Sequence, residues 1–497
     1  MMKISMMVAA GLVAGVALAD IEVTVDPSVT VGPIKPMHAV NNGPTKARKD
    51  QSRGTFQVYK DARIPFARTH DSYLQATSHG HTVDISAVFP DFDADENDPK
   101  NYDFGYTDAF LRNIMDAGTE VFFRLGQTIE NGQVKKYHVF PPKDFAKWAR
   151  ICEHVIRHCN EGWCDGYKWD IRYWEIWNEA DAELDENRAK SAQWQGTKAQ
   201  FFEFYKVVAQ HLKKTFPGLR IGGPALGWRL DWADEFLAYQ EKAGTPVDFF
   251  SWHCYARQIK SSPEKCRIFR ALLDKHGYTK AESILDEWNY VKGWTDDFPY
   301  TSKVISEAKG GAFAAAIMCA CQDEPVDMLM YYDARPGTIF NGMFDIYTYE
   351  PRPAYWAFVD WSRLARLGTQ VKSAVSFPGQ TEILAKADEQ AKWEFPPIPY
   401  QSLYNVTNQE VFATAAVSKA GRLGVMVVRY TDDDNLTASE KLTVRILAGR
   451  AFGAETMVLR TDDTRANSCV WKDPEADGSL VLSLPPNSFV YIEDGRE

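Results

Sequence analysis

Strongly basic runs are missing from this chain, and its net charge is −11. Nucleic-acid binding needs a cationic footprint to neutralise phosphates, so that class of partner is excluded. Beyond the amino terminus, no stretch is long and apolar enough to span a bilayer, which takes roughly 20 apolar residues in a helix. Cys-x-x-Cys pairs are absent, which removes a zinc ribbon and a dithiol redox centre. The eight cysteines are Cys152, Cys159, Cys164, Cys254, Cys266, Cys319, Cys321 and Cys469. The first three are close enough in sequence for one bridge, whereas Cys319-Ala320-Cys321 is too tight. Most are expected to be free core thiols. Repeats and low-complexity tracts are also missing.

Metal chemistry is poorly provided for. The acidic segment from Asp91 to Asp98 lacks the glycine and terminal glutamate of a calcium-binding hand, and reads as a solvated loop. His79 and His81 have no third ligand beside them. Neither a metal nor any other cofactor is expected.

What the chain does have is length and apolar mass. Its 497 residues are 45% apolar, enough for a large core and more than one simple domain needs. Its 15 Trp, 22 Tyr and 28 Phe are abundant, and most are expected in the core. Sugar rings present apolar C–H faces to such side chains, so a carbohydrate ligand is compatible. The first nineteen residues read as an export signal. Lys3 supplies the positive start, Met6 to Leu18 the apolar run, and Ala17-Leu18-Ala19 the small-x-small cleavage site before Asp20. Export, to the periplasm or beyond, is the expected location. The oligomeric state is left open.

From Pro36 onward, short apolar strands alternate with helical periodicity. Candidate strands are 36–40, 64–68, 120–125, 173–177, 219–223, 249–253, 284–287 and 328–332. Between them, Phe145, Trp148, Ile151, Cys152, Val155 and Cys159 recur at three- and four-residue steps, as do Phe201, Phe204, Tyr205, Val208 and Leu212. Pro217-Gly218 stops that second helix. Eight such units predict an α/β fold, a (β/α)8 barrel over residues 33–368. Past Gly368 the texture becomes short strands and turns, at 411–416, 423–429, 442–446, 457–459, 480–484 and 488–492. These predict an appended β-sandwich over 369–497. The alternating segment Ile21 to Val31, within residues 20–32, is expected to join it.

The chemistry falls at strand ends, where such barrels keep their active sites. Tyr173-Trp174-Glu175-Ile176-Trp177-Asn178-Glu179 is an aromatic strand ending in an Asn-Glu pair. Ser283-Ile284-Leu285-Asp286-Glu287-Trp288-Asn289 is a second strand ending in carboxylates. Two carboxyls in unlike environments, one protonated and one ionised, are what glycosidic cleavage requires. An Asn-Glu pair after a lone strand is more often a cap or a surface pair. Trp174 and Trp177, together with the second glutamate, turn the reading toward catalysis. Asp286 competes with Glu287, but strand alternation should send the two to opposite faces.

Taken together, these segments resemble glycoside hydrolase family 39, the family of β-xylosidases and α-L-iduronidases in the retaining (β/α)8 clan. The resemblance also rests on Lys35-Pro36-Met37-His38-Ala39-Val40-Asn41-Asn42-Gly43-Pro44, Arg68-Thr69-His70-Asp71, Asn160-Glu161-Gly162-Trp163 and Ser251-Trp252-His253-Cys254-Tyr255. It implies a glycosidase that releases terminal sugars from oligo- or polysaccharides by double displacement. Glu179 would be the acid/base and Glu287 the nucleophile. His38, Arg68, His70, Asp71, Asn178, His253, Tyr255, Trp288, Asn289 and Trp294 would contact the sugar. Two positions depart from the pattern. Ala180 stands where proline usually follows the acid/base, and Tyr331-Tyr332-Asp333 replaces the eighth-strand tryptophan. A silent sugar-binding protein, an arabinofuranosidase and a β-glucanase are the competing readings. A uronic acid would need a nearby cation, for which Lys135, Arg229, Arg257 and Arg335 are available.

Overall fold

The computed structural model describes residues 21–45, 54–70, 83–128, 139–183, 186–377 and 410–494. After β1 (Ile21–Pro33), eight parallel strands close into a barrel in chain order. They are β2 (Ala39–Asn41), β3 (Phe66–Arg68), β4 (Glu120–Leu125), β5 (Tyr173–Ile176), β6 (Arg220–Leu226), β7 (Phe249–Ala256), β8 (Glu282–Tyr290) and β9 (Met328–Tyr331). The ring closes where Ala39 and Val40 pair with Met330 and Tyr331. Each of the eight expected barrel strands is present.

Helices pack outside: α1 (Phe56–Ala62), α2 (Ile85–Val88), α3 (Gly105–Asp116), α4 (Phe145–Asn160), α5 (Lys198–Thr215), α6 (Leu230–Lys242), α7 (Ser261–Lys275), α8 (Phe298–Ile305), α9 (Ala308–Gln322) and α10 (Pro353–Leu367). Local chemistry sets their ends. On α5 a capping box joins Thr197 and Gln200, which satisfies donors that the first turn leaves without partners. On α4 the Asp144 carboxylate accepts from the Lys147 N–H. The buried face of α4, with Trp148, Ile151, Cys152, Val155 and Cys159, follows the expected helical spacing. Helix α9 is buried on every side, between α10 and the carboxyl-terminal sheet. Among the described residues, no single helix is long and apolar enough to cross a membrane.

The rest of the chain adds β10 (Thr369–Ser376), β11 (Val411–Val417), β12 (Leu423–Arg429), β13 (Leu442–Ala448), β14 (Thr456–Asp462), β15 (Arg465–Lys472), β16 (Leu480–Leu484) and β17 (Ser488–Glu493). With β1 they form one sheet of order β15-β14-β17-β12-β11-β10-β1-β13-β16. Here β1 runs antiparallel to β10 and parallel to β13. The sheet curls, because Val458 near one end and Leu482 at the other share a single core with Val23, Val425 and Val490. Its other face, including Phe412, Met426, Val428 and Tyr491, merges with the barrel's outer core.

Two strands of this sheet, β10 and β15, were not expected. Most of β15 is exposed at the sheet's edge, so its residues carry no buried alternation. All eight cysteines are free. Cys152 and Cys159 lie buried on α4, and no bridge forms among the first three. In the acidic segment, the Asp91, Asp95 and Asp98 side chains accept from backbone N–H groups two residues on, while Glu96 pairs with Arg150. This is turn chemistry. The expected export signal, His79, His81 and Lys135 lie outside the described residues.

Candidate active site

Alternation along the strands builds the barrel interior in layers. Phe66, Phe122, Tyr173, Phe249 and Ile284 form the apolar floor. Two residues further along their strands stand Arg68, Glu175, Ser251 and Asp286, all fully buried. Two more bring His70 and His253, and then Tyr255, to the carboxyl-end mouth. The interior thus turns from apolar to ionisable within one strand length.

Two backbone irregularities bring the carboxylates to this mouth. At the end of β5, Trp177 adopts φ +74° and Glu179 φ +44°. Left-handed backbone is costly for such side chains and persists only where surroundings hold it. Trp177 thereby turns outward, packing against Trp148, Trp194 and Phe204, with its indole N–H donated to the Gln193 carbonyl. Asn178 then points inward. In β8, Leu285 pairs with Trp252 and Glu287 with His253, so Asp286 is an extra residue, a bulge. Strict alternation therefore fails here, and both Asp286 and Glu287 reach Arg68.

Arg68 is the hub. Its Nε lies 2.6 Å from Glu175 Oε2 and 3.1 Å from Asp286 Oδ2. Its Nη1 donates to Glu287 Oε1 at 2.8 Å and to Asn41 Oδ1 at 3.1 Å, and its Nη2 donates to Asn178 Oδ1 at 2.8 Å. One guanidinium cannot neutralise three buried carboxyls, and the site resolves this by protonation. Burial, reinforced by the charge of Glu175, pushes the Asp286 carboxyl well above its usual range. Burial would also raise Glu175, but Arg68 and donors from Asp286 and Ser251 keep it low. Asp286 is thus the proton-carrying member of the pair.

Glu287 takes four contacts. His70 Nε2 lies 2.7 Å from Oε1, which also meets Arg68, while the Tyr255 hydroxyl donates to Oε2 at 2.7 Å. His253 Nδ1 is 3.5 Å from Oε2. Burial alone would raise its pKa. The positive charge available from His253, His70 and Arg68 outweighs burial and holds it well below the usual carboxylate range. Burial and the neighbouring Glu287 charge push the Tyr255 phenol well above its usual value, so it stays a neutral donor.

Glu179 is more open, with a side chain 20% exposed. Its Oε1 meets His253 Nδ1 at 2.7 Å and its Oε2 accepts from Gln193 at 2.9 Å. Glu179, His253 and Glu287 each place one donor atom within 4.8 Å of the other two. That donor set would also suit a cation. The 2.7 Å contact between Glu179 and His253 is, however, an ordinary hydrogen bond.

The structure thus brings Glu179, Glu287, Arg68, His70, Asn178, His253 and Tyr255 together. The Asn178 Nδ2 is buried with no hydrogen-bond partner among the described residues. Trp294 stands at the rim, 59% exposed, edge-on to Tyr255 at 5.2 Å. Asn289 is directed instead to a loop, donating to the carbonyls of Tyr332 and Phe340.

Two further expected contacts also fall elsewhere. His38 lies at the amino end of β2, hydrogen-bonded to the Arg63 backbone, and burial lowers its pKa to about 3. Trp288 follows the bulge and faces outward, against Phe313 and Tyr331. Trp174 likewise faces outward, stacked on Phe123. Asp71 lies outside the described residues. Of the candidate cations, Arg229 pairs with Asp231 and Arg257 with Asp432, while Arg335 lies beside Asp333. Residues that sequence reasoning missed are Glu175, Ser251, Gln193 and Asn41. Glu175 had a readable signal, a charge flanked by Trp174 and Ile176 in a buried strand.

The sequence model of Glycosyl hydrolases family 39 matches residues 21–303. A β-xylosidase of Geobacillus stearothermophilus is 25% identical over 322 residues, covering 58% of this chain and 61% of its own length. A β-xylosidase of Caldicellulosiruptor saccharolyticus is 28% identical over 172 residues, 33% of each chain. The matched stretch thus spans less than two thirds of either relative. Among solved structures, a glucosidase from Croceicoccus marinus superposes with a TM-score of 0.69 at 20% identity, over 95% of this chain and 98% of that one. A β-xylosidase from Caulobacter crescentus gives a TM-score of 0.64 at 15% identity, over 95% and 99%. At these identities, the structural likeness establishes the fold.

Proposed function

The chain belongs to glycosyl hydrolases family 39, and from that premise we propose that it is a retaining glycosidase that releases terminal sugars, β-xylosidase-like, from oligosaccharides. The observation that carries the retaining reading is the approach of Glu179 and Glu287, with one carboxylate oxygen of each within 4.8 Å. Retaining enzymes hold their carboxyls roughly 5–5.5 Å apart, whereas inverting ones leave roughly 6.5–9.5 Å for a water. The β-xylosidases among the relatives support the sugar.

In the first step the Glu287 carboxylate attacks the anomeric carbon. The glycosidic C–O bond breaks, its electron pair stays on the leaving oxygen, and that oxygen takes the Glu179 proton. In the second step, water attacks the same carbon, gives a proton back to Glu179, and frees Glu287. A strongly depressed pKa suits Glu287 to remain an anion in its buried setting, and the more exposed Glu179 suits proton exchange with solvent. The Asn178 Nδ2, without a partner among the described residues, offers a donor to a sugar hydroxyl, and Trp294 an apolar face at the rim. Export fits the Lys3, Met6–Leu18 and Ala17-Leu18-Ala19 pattern. Amino-terminal sequencing of the mature protein should then begin at Asp20.

The test is Glu287→Gly assayed on 4-nitrophenyl glycosides, including β-D-xylopyranoside and α-L-arabinofuranoside. The variant should lose activity by several orders of magnitude and regain it with azide, yielding a glycosyl azide of inverted configuration. No wild-type turnover on any of the panel would indicate a sugar-binding protein instead.

A further inference from the structure

Wherever the sugar lies, its leaving oxygen must come within hydrogen-bond reach of the Glu179 carboxyl. The surface beside that carboxyl is the turn after β6. A Cβ placed on Gly227 would sit 3.4 Å from both Cγ and Oε1 of Glu179, so the turn backbone runs directly against the proton donor. The next residue is Trp228, a large aromatic that is 57% exposed.

This turn is rigidly built. The buried Asp181 carboxylate accepts three successive backbone N–H groups, from Gly227 at 2.8 Å and from Trp228 and Arg229 at 2.9 Å. Asp181 follows Glu179 by two residues, and the Glu179 N–H is itself donated to the Ala225 carbonyl. The indole N–H of Trp228 reaches the Ala182 carbonyl at 3.3 Å, which fixes the ring. The two segments are therefore cross-tied, and an exposed indole is held one residue from Gly227, the position that adjoins Glu179. An exposed tryptophan anchored in this way is not serving the core. Trp294 stands against Tyr255, whose hydroxyl donates to Glu287.

We propose that Trp228 is the platform for the leaving-group sugar, the unit released from the reducing side of the cleaved bond, and that it sets a preference for glycosyl over smaller leaving groups. The inference rests on the retaining-glycosidase reading. Its chemistry is stacking of an apolar sugar face on the indole, a contact that a leaving group without a ring cannot make.

The experiment compares kcat/KM on xylobiose with that on β-D-xylopyranosyl fluoride, whose leaving group touches no platform. Trp228→Ala should lower the xylobiose value about tenfold relative to the fluoride value, and Trp228→Phe should restore most of it. In the wild type, xylobiose added to a fluoride reaction should act as an acceptor, giving transfer products that Trp228→Ala makes less of. An equal fall on both substrates, or no fall on xylobiose, overturns the platform. If the wild type turns over neither substrate, the functional reading itself fails, and the platform with it.

Discussion

Glu287 keeps its charge inside the barrel because Arg68 and His70 share its Oε1 while Tyr255 donates to its Oε2. This arrangement makes a prediction about pH. In kcat/KM, the acid limb reports the free enzyme's essential carboxylate. Since charge from the histidines and Arg68 depresses the Glu287 pKa, the wild-type limb should lie below the ordinary glutamate range. His70→Gln keeps an N–H donor but removes a titratable positive charge. It should move that limb to higher pH, as measured by kcat/KM between pH 3 and 7. An unmoved limb would mean that His70 does not tune Glu287. Asp286, beside it in the chain, has the opposite character, because no comparable set of donors offsets its burial.

At the level of the elements, helix α9 shows how little room the barrel wall leaves. A Cβ on Gly311 would lie 2.8 Å from the Pro353 backbone at the start of α10. Gly311→Val should therefore destabilise the protein by about 1–3 kcal/mol, the usual cost of overpacking, seen as a lower midpoint in thermal unfolding. The barrel strands were readable in the sequence because strands buried on both faces are short apolar runs with helical spacing between them. Glu179 and Glu287 were readable because each ends such a run. Less was visible where the backbone departs from its period. The bulge at Asp286 and the left-handed Trp177 each shift the phase by one residue, and composition carries no trace of either. That shift sends Trp288 outward, and His38 falls at the wrong end of its strand to reach the site. The edge strand β15 was invisible because exposure removes the alternation that marks a strand.

Across the whole molecule, the sheet is fastened to the barrel by polar contacts as well as by the shared core. Lys309 on α9 lies 2.8 Å from Asp432 and 2.9 Å from Asp434, and Tyr290, at the end of β8, donates to Asp432. On α10 the buried Asp360 accepts from Asn467 of β15 at 2.9 Å, and burial pushes its pKa up to about 7. A carboxyl whose pKa rises on folding stabilises the fold below its unfolded value near 3.8, and this contribution is lost as pH climbs through about 7. Asp360→Asn removes that titration. Thermal midpoints of the two proteins should diverge in favour of the variant as pH rises from 5 to 8, by about 3 kcal/mol in stability. A constant gap would mean that Asp360 titrates alike in the folded and unfolded chain. The proposed mechanism depends on one spacing, that between Glu179 and Glu287. Proton NMR of a running hydrolysis, on any glycoside the wild type cleaves, reads that spacing directly. The first sugar anomer to appear should have the configuration of the substrate, with the other following only by mutarotation. If the opposite anomer comes first, a water stands between the carboxylates and direct attack by Glu287 is wrong.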